Sequence, residues 1–406
     1  MTSSVVCRDE REREVVRVWQ SGHLSSGTAF TYLHWIRLYR TYCGQRQLDE
    51  TAGLTLDGVT RFTQAYVGPR KKGAVAPRSR EIAVRALHAW ACALGALRIA
   101  VPEWRARRAP VPLPPLLAAY CHYRRSHGGV AEGTLGRDIE AASAFLSVLR
   151  GQGKPIRKAA VADIDTFVRR LSESMSKRSV ADRCSSLRSF LRFLHTTGRL
   201  GHDLASCVIS PRVRFAERPP RALPWADVRR ILRAIPRKQP PGKRDFAMLL
   251  MLATYGLGAA EVLGLRLDDV DWKFAVLHVR RPKTNVAIDL PLLAPVARAL
   301  AAYLETERPA HAQARRIFLA TAMPYRPITS GAIRHRIRLY ADQAGVTAPV
   351  LGAHAFRHSH ACRQIDNGAN VKVVSDILGH RRPSSTSVYV RVALRRLRAV
   401  ALPVPR

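Results

Sequence analysis

Apolar residues recur with the 3.6-residue period of an α-helix through most of the chain. In the first half, the periodic segments lie at 28–39, 54–67, 79–97, 134–149, 160–171 and 177–195. Asp57 and Asp163 are suited to the first helical turn of the second and the fifth of these segments. Because the same order of segments occurs twice, we predict two similar small helical bundles in tandem.

The second half of the chain combines helical patterns with one alternating stretch. Residues 223–235 predict an amphipathic helix, and residues 243–258 are apolar on almost every side, which predicts a buried helix. Apolar and polar residues alternate on both sides of Lys283-Thr284-Asn285, so 274–292 predicts a β-hairpin with its turn there. Helical patterns resume near 294 and continue to the end of the sequence. The predicted fold is therefore mainly α, of the α+β class, with a small antiparallel sheet.

Two stretches rich in proline and arginine, 102–115 and 210–224, interrupt these patterns. Proline lacks the N–H that regular structure needs, and neighbouring arginines repel one another, so we expect both stretches to be extended linkers. They divide the chain into three segments, 1–105, 112–205 and 222–406, each long enough to form a domain.

The charge of the chain is strongly one-sided. It has 67 Lys and Arg residues against 30 Asp and Glu residues, a formal net charge of +37, and only ten of the basic residues are lysine. Such a surface repels itself unless a polyanion neutralises it, and nucleic acid is the usual polyanion. An arginine-rich genome would give the same excess without any ligand.

Cysteine usage and hydropathy indicate the compartment. The seven cysteines form no C-x-x-C pair, so the sequence favours neither a zinc ribbon nor a disulfide framework. The sequence shows no secretory leader and no run of 18 apolar residues. We therefore expect a soluble protein of a reducing compartment, most simply the cytoplasm, with no membrane contact.

The segment 254–266, TYGLGAAEVLGLR, contains two glycines separated by one leucine. A phosphate-binding glycine loop follows a strand and precedes a helix, whereas the apolar run before Gly256 has the length and period of a helix. Glu261 also stands where such a loop would have its third glycine. We interpret Gly256-Leu257-Gly258 as a turn that ends a helix.

The richest set of reactive side chains lies at 352–392. His354 and Arg357 form an H-x-x-R pair, which a helix would place on one face, although the same pattern occurs five more times in this arginine-rich chain. An amphipathic helix follows, then Leu378-Gly379-His380 and, nine residues after His380, Tyr389. The combination is far more specific than any of its parts.

This succession of H-x-x-R, L-G-H and a tyrosine resembles the tyrosine recombinase (phage integrase) family. The resemblance covers about 222–400 and implies that 222–406 is a mostly helical catalytic domain containing the small sheet. Residues 112–205 resemble, more loosely, the helical SAM-like core-binding domain of the family. Residues 1–105 would then be an extra helical N-terminal domain.

The resemblance implies roles for five residues. Tyr389 would attack a DNA phosphate to form a 3′-phosphotyrosyl bond, and His354 would take its proton. Arg357 would bind the non-bridging phosphate oxygens through its planar guanidinium, and His380 would donate a further hydrogen bond. Lys283, in the predicted hairpin turn, would protonate the leaving 5′-oxygen. Since the covalent bond conserves the energy of the phosphodiester, the resemblance implies neither a metal nor a cofactor.

Considered alone, these residues have ordinary structural explanations. Tyr389 would be a half-buried helix aromatic and Lys283 a turn lysine. His358, His360 and Cys362 suggest a metal site, but no fourth ligand follows at suitable spacing. The order and spacing of the whole set favour the recombinase interpretation.

One position departs from the family pattern. Where the family has G-L-R, this sequence has Gly256-Leu257-Gly258, so Gly258 stands in place of the first catalytic arginine. Loss of one preorganised donor costs about 3–4 kcal/mol, or roughly 10²–10³ in rate. Another cation would recover part of this loss, and Arg266, Arg280 and Arg281 are the nearest in sequence.

Two functions therefore remain open, and a third is disfavoured. The first is an active recombinase or integrase of a mobile element. It would be slowed by a modified phosphate clamp, the set of cationic side chains that bind the scissile phosphate. The second is a cleavage-impaired homologue that binds DNA as the architectural partner of active recombinases. The third, a metal-dependent transposase, needs widely spaced carboxylates, whereas Asp268, Asp269 and Asp271 look like a helix-to-strand connection.

The resemblance also implies the partners. They are double-stranded DNA and other recombinase protomers, assembled as a homo- or hetero-tetramer on DNA. The protein would then be associated with the nucleoid in a bacterial cytoplasm.

Overall fold

A computed structural model describes residues 5–70, 75–105, 112–212, 222–282, 286–312, 314–323 and 325–379. The chain forms two compact units, one of residues 107–219 and the other of residues 1–106 together with 220–406. The fold is mainly helical with a small antiparallel sheet, as predicted. No helix among the described residues is both long and apolar enough to cross a membrane.

Four helices form the N-terminal bundle. They are α1 (Glu10–Ser21), α2 (Ser26–Gln45), α3 (Leu56–Arg70) and α4 (Val75–Ala96). Ser25 caps α2 by accepting a hydrogen bond from the Thr28 N–H at 3.2 Å. Trp19 and Trp90 are buried edge to face, with ring centroids 6.4 Å apart, and anchor the core of the bundle. The three helices predicted in this segment are confirmed, and α1 is an additional one.

The described residues of the unit 107–219 also form four α-helices. They are α5 (Pro115–Gly128), α6 (Glu132–Gly151), α7 (Val161–Ser174) and α8 (Lys177–Thr196), with a 3₁₀ turn at Ile156–Lys158. Asp163 lies in the first turn of α7, as predicted, and accepts hydrogen bonds from the Ala160 N–H at 2.8 Å and from Lys154 Nζ at 2.9 Å. The three helices predicted in this segment are confirmed, and α5 is an additional one.

The segment 222–379 combines helices with the sheet. Its helices are α9 (Trp225–Arg233), α10 (Gly242–Tyr255), α11 (Ala259–Gly264), α12 (Ala294–Thr306), α13 (Ser330–Gln343), α14 (Ala353–Asp366) and α15 (Val371–Leu378). Its strands are β1 (Val270–Asp271), β2 (Val276–Arg281) and β3 (Val286–Pro291), antiparallel in the order β1-β2-β3. The two antiparallel strands of the predicted hairpin are therefore confirmed, and its predicted turn at 283–285 lies outside the described residues. The predicted connection at 268–271 contains part of a 3₁₀ turn and the short strand β1.

The prediction of helical structure from 294 onward is wrong for 307–329. That stretch contains no helix among its described residues, and it carries Pro309 and Pro327, which lack the N–H that continues a helix. Residues 317–319 are consecutive and fully buried, so this connection contributes to the core without regular structure. The predicted helical tail beyond 379 lies outside the described residues.

A loop of this segment contacts the N-terminal bundle. Tyr325 is buried, and its hydroxyl donates a hydrogen bond to the Val18 carbonyl at 3.2 Å. A Cβ on Gly22, at the end of α1, would overlap the Tyr325 ring, so glycine permits this approach. The two elements thus pack together within one compact unit.

A buried ionic network joins α10 to α13. Asp245 is fully buried and accepts hydrogen bonds from Arg244 Nη2 at 2.7 Å and from the Tyr340 hydroxyl at 2.7 Å. Arg336 donates to the same carboxylate. Because a buried charge is costly unless it is paired, this network fixes the relative position of the two helices.

Candidate active site

The glycine turn after α10 shapes one wall of the site. Gly256 adopts a left-handed conformation with φ of +63°, and a Cβ there would lie only 2.6 Å from His360 Cδ2. Both facts require glycine. Since the element before the turn is a helix rather than a strand, the interpretation as a helix-ending turn is confirmed.

Gly258 is not constrained in this way. Its φ of −79° and ψ of 158° are extended values that any residue adopts. A Cβ there would meet Glu261 Oε2 at 3.5 Å and Arg357 Nη1 at 3.9 Å, which are ordinary contacts. The fold therefore does not demand glycine at 258, and a side chain there would extend from a point beside Arg357.

Glu261 ties the turn to α14. Its Oε2 atom accepts a hydrogen bond from the Gly258 N–H at 2.6 Å and another from Arg357 Nη1 at 3.1 Å. The carboxylate is mostly buried, with its side chain 11% exposed, so these charge-assisted bonds are only weakly screened by solvent.

Arg357 is held at three points. Nη1 donates to the Gly256 carbonyl at 3.1 Å as well as to Glu261, and Nη2 donates to the Leu378 carbonyl at the end of α15. Of its five N–H groups, the Nε–H and one Nη2–H are not used in these bonds. His354 lies one turn earlier on α14 and is exposed, so the predicted pair does share a helix.

The buried face of α14 carries anchoring side chains. Ser359 Oγ accepts a hydrogen bond from the Leu223 N–H at 2.7 Å, and His360 Nδ1 lies 3.0 Å from the Ala253 carbonyl. Burial lowers the pKa of His360, which favours the neutral ring with its proton on Nδ1. His360 is thus a packing residue, and the described residues contain no group of three side chains able to hold a metal ion.

A second guanidinium lies beside Arg357. Arg281, the last residue of β2, donates to the Ile377 carbonyl, and its Nε lies 3.6 Å from Glu261 Oε1. Gly379 ends α15 with a φ of +66°, and a Cβ there would overlap the Arg281 guanidinium. Burial lowers the pKa of Arg281, Glu261 opposes this shift, and the positive charge of Arg357 adds to it.

The other two arginines that were candidates for a substitute cation lie elsewhere. Arg280 is exposed, because successive residues of a strand point to opposite faces. Arg266 is also exposed, at the start of the 3₁₀ turn of residues 267–269. Sequence proximity alone could not separate the three.

Of the six positions singled out from the sequence, the structure describes Gly258, His354 and Arg357. It places Gly258 beside Arg357, and His354 on the same helix as Arg357. Lys283, His380 and Tyr389 lie outside the described residues.

Comparisons with known proteins identify the family. The model of the phage integrase family matches residues 221–396, and that of the phage integrase N-terminal SAM-like domain matches residues 117–198. A protein of Sinorhizobium fredii named as an integrase/recombinase, y4rF, is 34% identical over 299 residues, which are 71% of this chain and 69% of that protein. The chain belongs to the phage integrase family.

Other relatives of this phage integrase homologue are similar over comparable lengths. The integrase/recombinase y4rA of the same organism is 36% identical over 266 residues, and the chain spans 64% of its length, just under two thirds. The tyrosine recombinase XerD of Listeria monocytogenes is 27% identical over 292 residues, which are 70% of this chain and 96% of XerD.

Solved structures share the fold. A λ integrase tetramer bound to a Holliday junction superposes with a TM-score of 0.53 at 18% identity, covering 68% of this chain and 76% of that one. The Tn1549 transposon integrase in complex with circular intermediate DNA gives 0.51 at 20% identity, covering 70% and 98%. At such identities the similarity shows the architecture of this integrase homologue and nothing finer.

Proposed function

We propose that this chain is a site-specific recombinase or integrase that cuts and rejoins double-stranded DNA through a 3′-phosphotyrosyl intermediate. The Tyr389 oxygen bonds to the scissile phosphorus as the bond to the 5′-oxygen breaks. The phenolic proton passes to His354, and Lys283 gives a proton to the leaving oxygen. One phosphoester replaces another, so nothing is oxidised or reduced.

The observation that carries this proposal is the way in which Arg357 is held. Glu261 and the Gly256 carbonyl orient Nη1, and the end of α15 orients Nη2, before any ligand binds. The two N–H groups left over would bind a non-bridging phosphate oxygen, with His380 as a further donor. A donor fixed in advance is what stabilisation of developing charge requires. An arginine that served only to make the surface basic would need no such anchoring.

We propose that Gly258 modifies this phosphate clamp without abolishing the reaction. The missing donor would slow the chemical step by up to about 10²–10³, unless another cation takes its place. That is a small part of the acceleration of about 10⁶-fold or more that enzymes supply.

The partners follow from charge and from the relatives. A net charge of +37 favours a nucleic acid ligand, and the λ and Tn1549 integrases were solved on DNA. By analogy we propose a homo- or hetero-tetramer with other recombinases on DNA, in the nucleoid of a bacterial cytoplasm, encoded by a mobile element. Residues 112–205 would be the core-binding domain, 222–406 the catalytic domain and 1–105 an extra DNA- or partner-binding domain.

One observation favours a second function. Because Gly258 removes a phosphate donor that the fold could accommodate, the chain would also suit a DNA-binding partner of active recombinases that does not itself cleave.

Trapping of a covalent adduct separates the two functions. Duplexes that bind the full-length chain tightly are selected from a random library and resynthesised with nicks, so that a short fragment diffuses away after cleavage. An active enzyme gives a protein–DNA adduct that survives denaturant. Tyr389→Phe should abolish the adduct and keep binding, whereas the matched control Tyr32→Phe, in α2 of the N-terminal bundle, should keep both. Tight binding without any adduct would establish the architectural function.

A further inference from the structure

Strand β2 places Arg281 in the site. Leu277, Val279 and Arg281 alternate with exposed residues and share the buried face of the strand. An arginine on the same strand face as two aliphatic core residues is unusual, because arginine is almost never fully buried without a charged or hydrogen-bonding partner. The Arg281 side chain is only 7% exposed.

The contacts of Arg281 match those of Arg357. Both guanidinium groups donate to carbonyls at the end of α15, Arg281 to Ile377 and Arg357 to Leu378. Both also lie against Glu261, one at each carboxylate oxygen. The last carbonyls of a helix lack partners within it and carry partial negative charge, so the end of α15 holds the two cations side by side.

Arg281 is nevertheless incompletely satisfied. Its Nε is buried and has no hydrogen-bond partner among the described residues, since 3.6 Å to Glu261 is too long for a hydrogen bond. Glu261 already accepts hydrogen bonds from Gly258 and Arg357. A buried donor left unpaired is costly, so this pair of cations calls for another acceptor.

The net charge of the Arg281–Arg357–Glu261 cluster indicates the kind of acceptor that would fit. Within the described part of the chain, Glu261 is the one carboxylate that forms an ion pair with Arg281 or Arg357. Two guanidinium groups and one carboxylate leave a charge of +1 in a mostly buried cleft. A phosphodiester carries a charge of −1 and offers two non-bridging oxygens, so it would balance the cluster.

We propose that Arg281 is a second phosphate-binding arginine, which supplies from β2 the contact that residue 258 cannot make. The inference rests on the proposed DNA function of the same site. It gives the chain two guanidinium groups on the scissile phosphate despite Gly258.

A cycle of binding measurements tests Arg281 without requiring cleavage. Every protein in the cycle carries Tyr389→Phe, so that the DNA stays intact. Each duplex contains one neutral methylphosphonate in place of a phosphate, and its position differs from duplex to duplex across the bound site. In the Arg281-containing protein, one position near the centre should weaken binding by about 10-fold or more. With Arg281→Ala that penalty should become clearly smaller, because one of the two guanidinium groups proposed to bind this phosphate is already missing, while Arg357 remains. Arg280→Ala, on the exposed face of the same strand, should retain the full penalty.

Rates provide the second readout. With Tyr389 intact, Arg281→Ala should slow adduct formation by about 10²–10³, and Arg281→Lys should lose less, since it keeps the charge without the planar fork. If the methylphosphonate penalty were equal with and without Arg281, the inference would be overturned whether or not the chain cleaves DNA. Absence of an adduct from the unaltered chain would instead overturn the proposed enzyme and leave the binding cycle to decide on Arg281. Thermal unfolding of each variant separates these effects from misfolding.

Discussion

The carboxylate of Glu261 accepts a hydrogen bond from Arg357 Nη1 at 3.1 Å, across 96 residues of sequence. The same oxygen accepts a hydrogen bond from the Gly258 N–H at 2.6 Å, so Glu261 fixes both the glycine turn after α10 and the Arg357 guanidinium. Its other oxygen faces Arg281. Glu261 is therefore the residue that organises the cations of the site.

Glu261→Gln should affect the affinity for DNA and the rate of adduct formation in different ways. The amide oxygen can still accept hydrogen bonds, but the charge that separates two arginines is lost. We expect DNA affinity to stay the same or rise, because the cleft becomes more positive, while adduct formation slows at least about 10-fold as Arg357 loses a charge-assisted bond. Affinity and single-turnover rate are measured on the same duplex. A parallel fall in both would show that Glu261 only supports the fold.

Asp245→Ala should destabilise the protein severely. The change removes the one carboxylate that forms an ion pair with the Arg244 guanidinium among the described residues, and this side chain is only 6% exposed. Removing one partner of a buried ion pair costs about 3–5 kcal/mol in the free energy of unfolding. Urea denaturation measures it, and Asp268→Ala, which breaks the exposed ion pair with Arg315, is the control with a much smaller expected change. Equal losses would contradict the assigned role of the Asp245 network.

His360 should make the fold sensitive to acid. Its pKa in the folded protein lies below the ordinary value of 6.5, mainly through burial, while the hydrogen bond to the Ala253 carbonyl opposes the shift and Arg357 adds to it. The stability from the neutral ring is therefore complete above about pH 6.5 and is lost as the pH falls through the lower folded pKa.

His360→Asn tests this dependence, because its amide can still donate to the Ala253 carbonyl but does not titrate. We expect the unfolding temperature of the variant to fall less than that of the unaltered chain between pH 7 and pH 5. His88→Asn is the control. Burial also lowers the pKa of His88, but this residue lies in the N-terminal bundle, so its substitution should reduce the pH dependence of the unfolding temperature independently of His360. A profile unchanged by His360→Asn would refute the assignment.

Much of this architecture could be predicted from periodicity. The amphipathic segments of residues 28–195 form helices, and the alternating residues on either side of 283–285 form the antiparallel strands β2 and β3. The stretch 307–329 could not be predicted in the same way. Its apolar residues at 317–319 are buried by contacts distant in sequence, and prolines on either side prevent helical hydrogen bonds.

The site was only partly predictable. The spacing in the sequence predicted that His354 and Arg357 share a helix, and the motif comparison singled out Gly258. Neither could show that Gly258 lies beside Arg357. Arg281 was one of three equal candidates, although a signal existed: alternation puts 281 on the face of Leu277 and Val279 and puts Arg280 on the opposite face. The convergence of Arg281 and Arg357 on Glu261 depends on tertiary packing.

The most direct test of the account is the single-turnover rate of adduct formation by four proteins on one nicked duplex. They are the unaltered chain, Gly258→Arg, Arg281→Ala and the double variant. If Arg281 replaces the missing donor, Gly258→Arg should change the rate of the unaltered chain by less than about fivefold and should restore most of the roughly 10²–10³ lost in Arg281→Ala. An equal acceleration by Gly258→Arg in both backgrounds would contradict this role of Arg281, and no adduct from any of the four proteins would contradict the proposed cleavage of DNA.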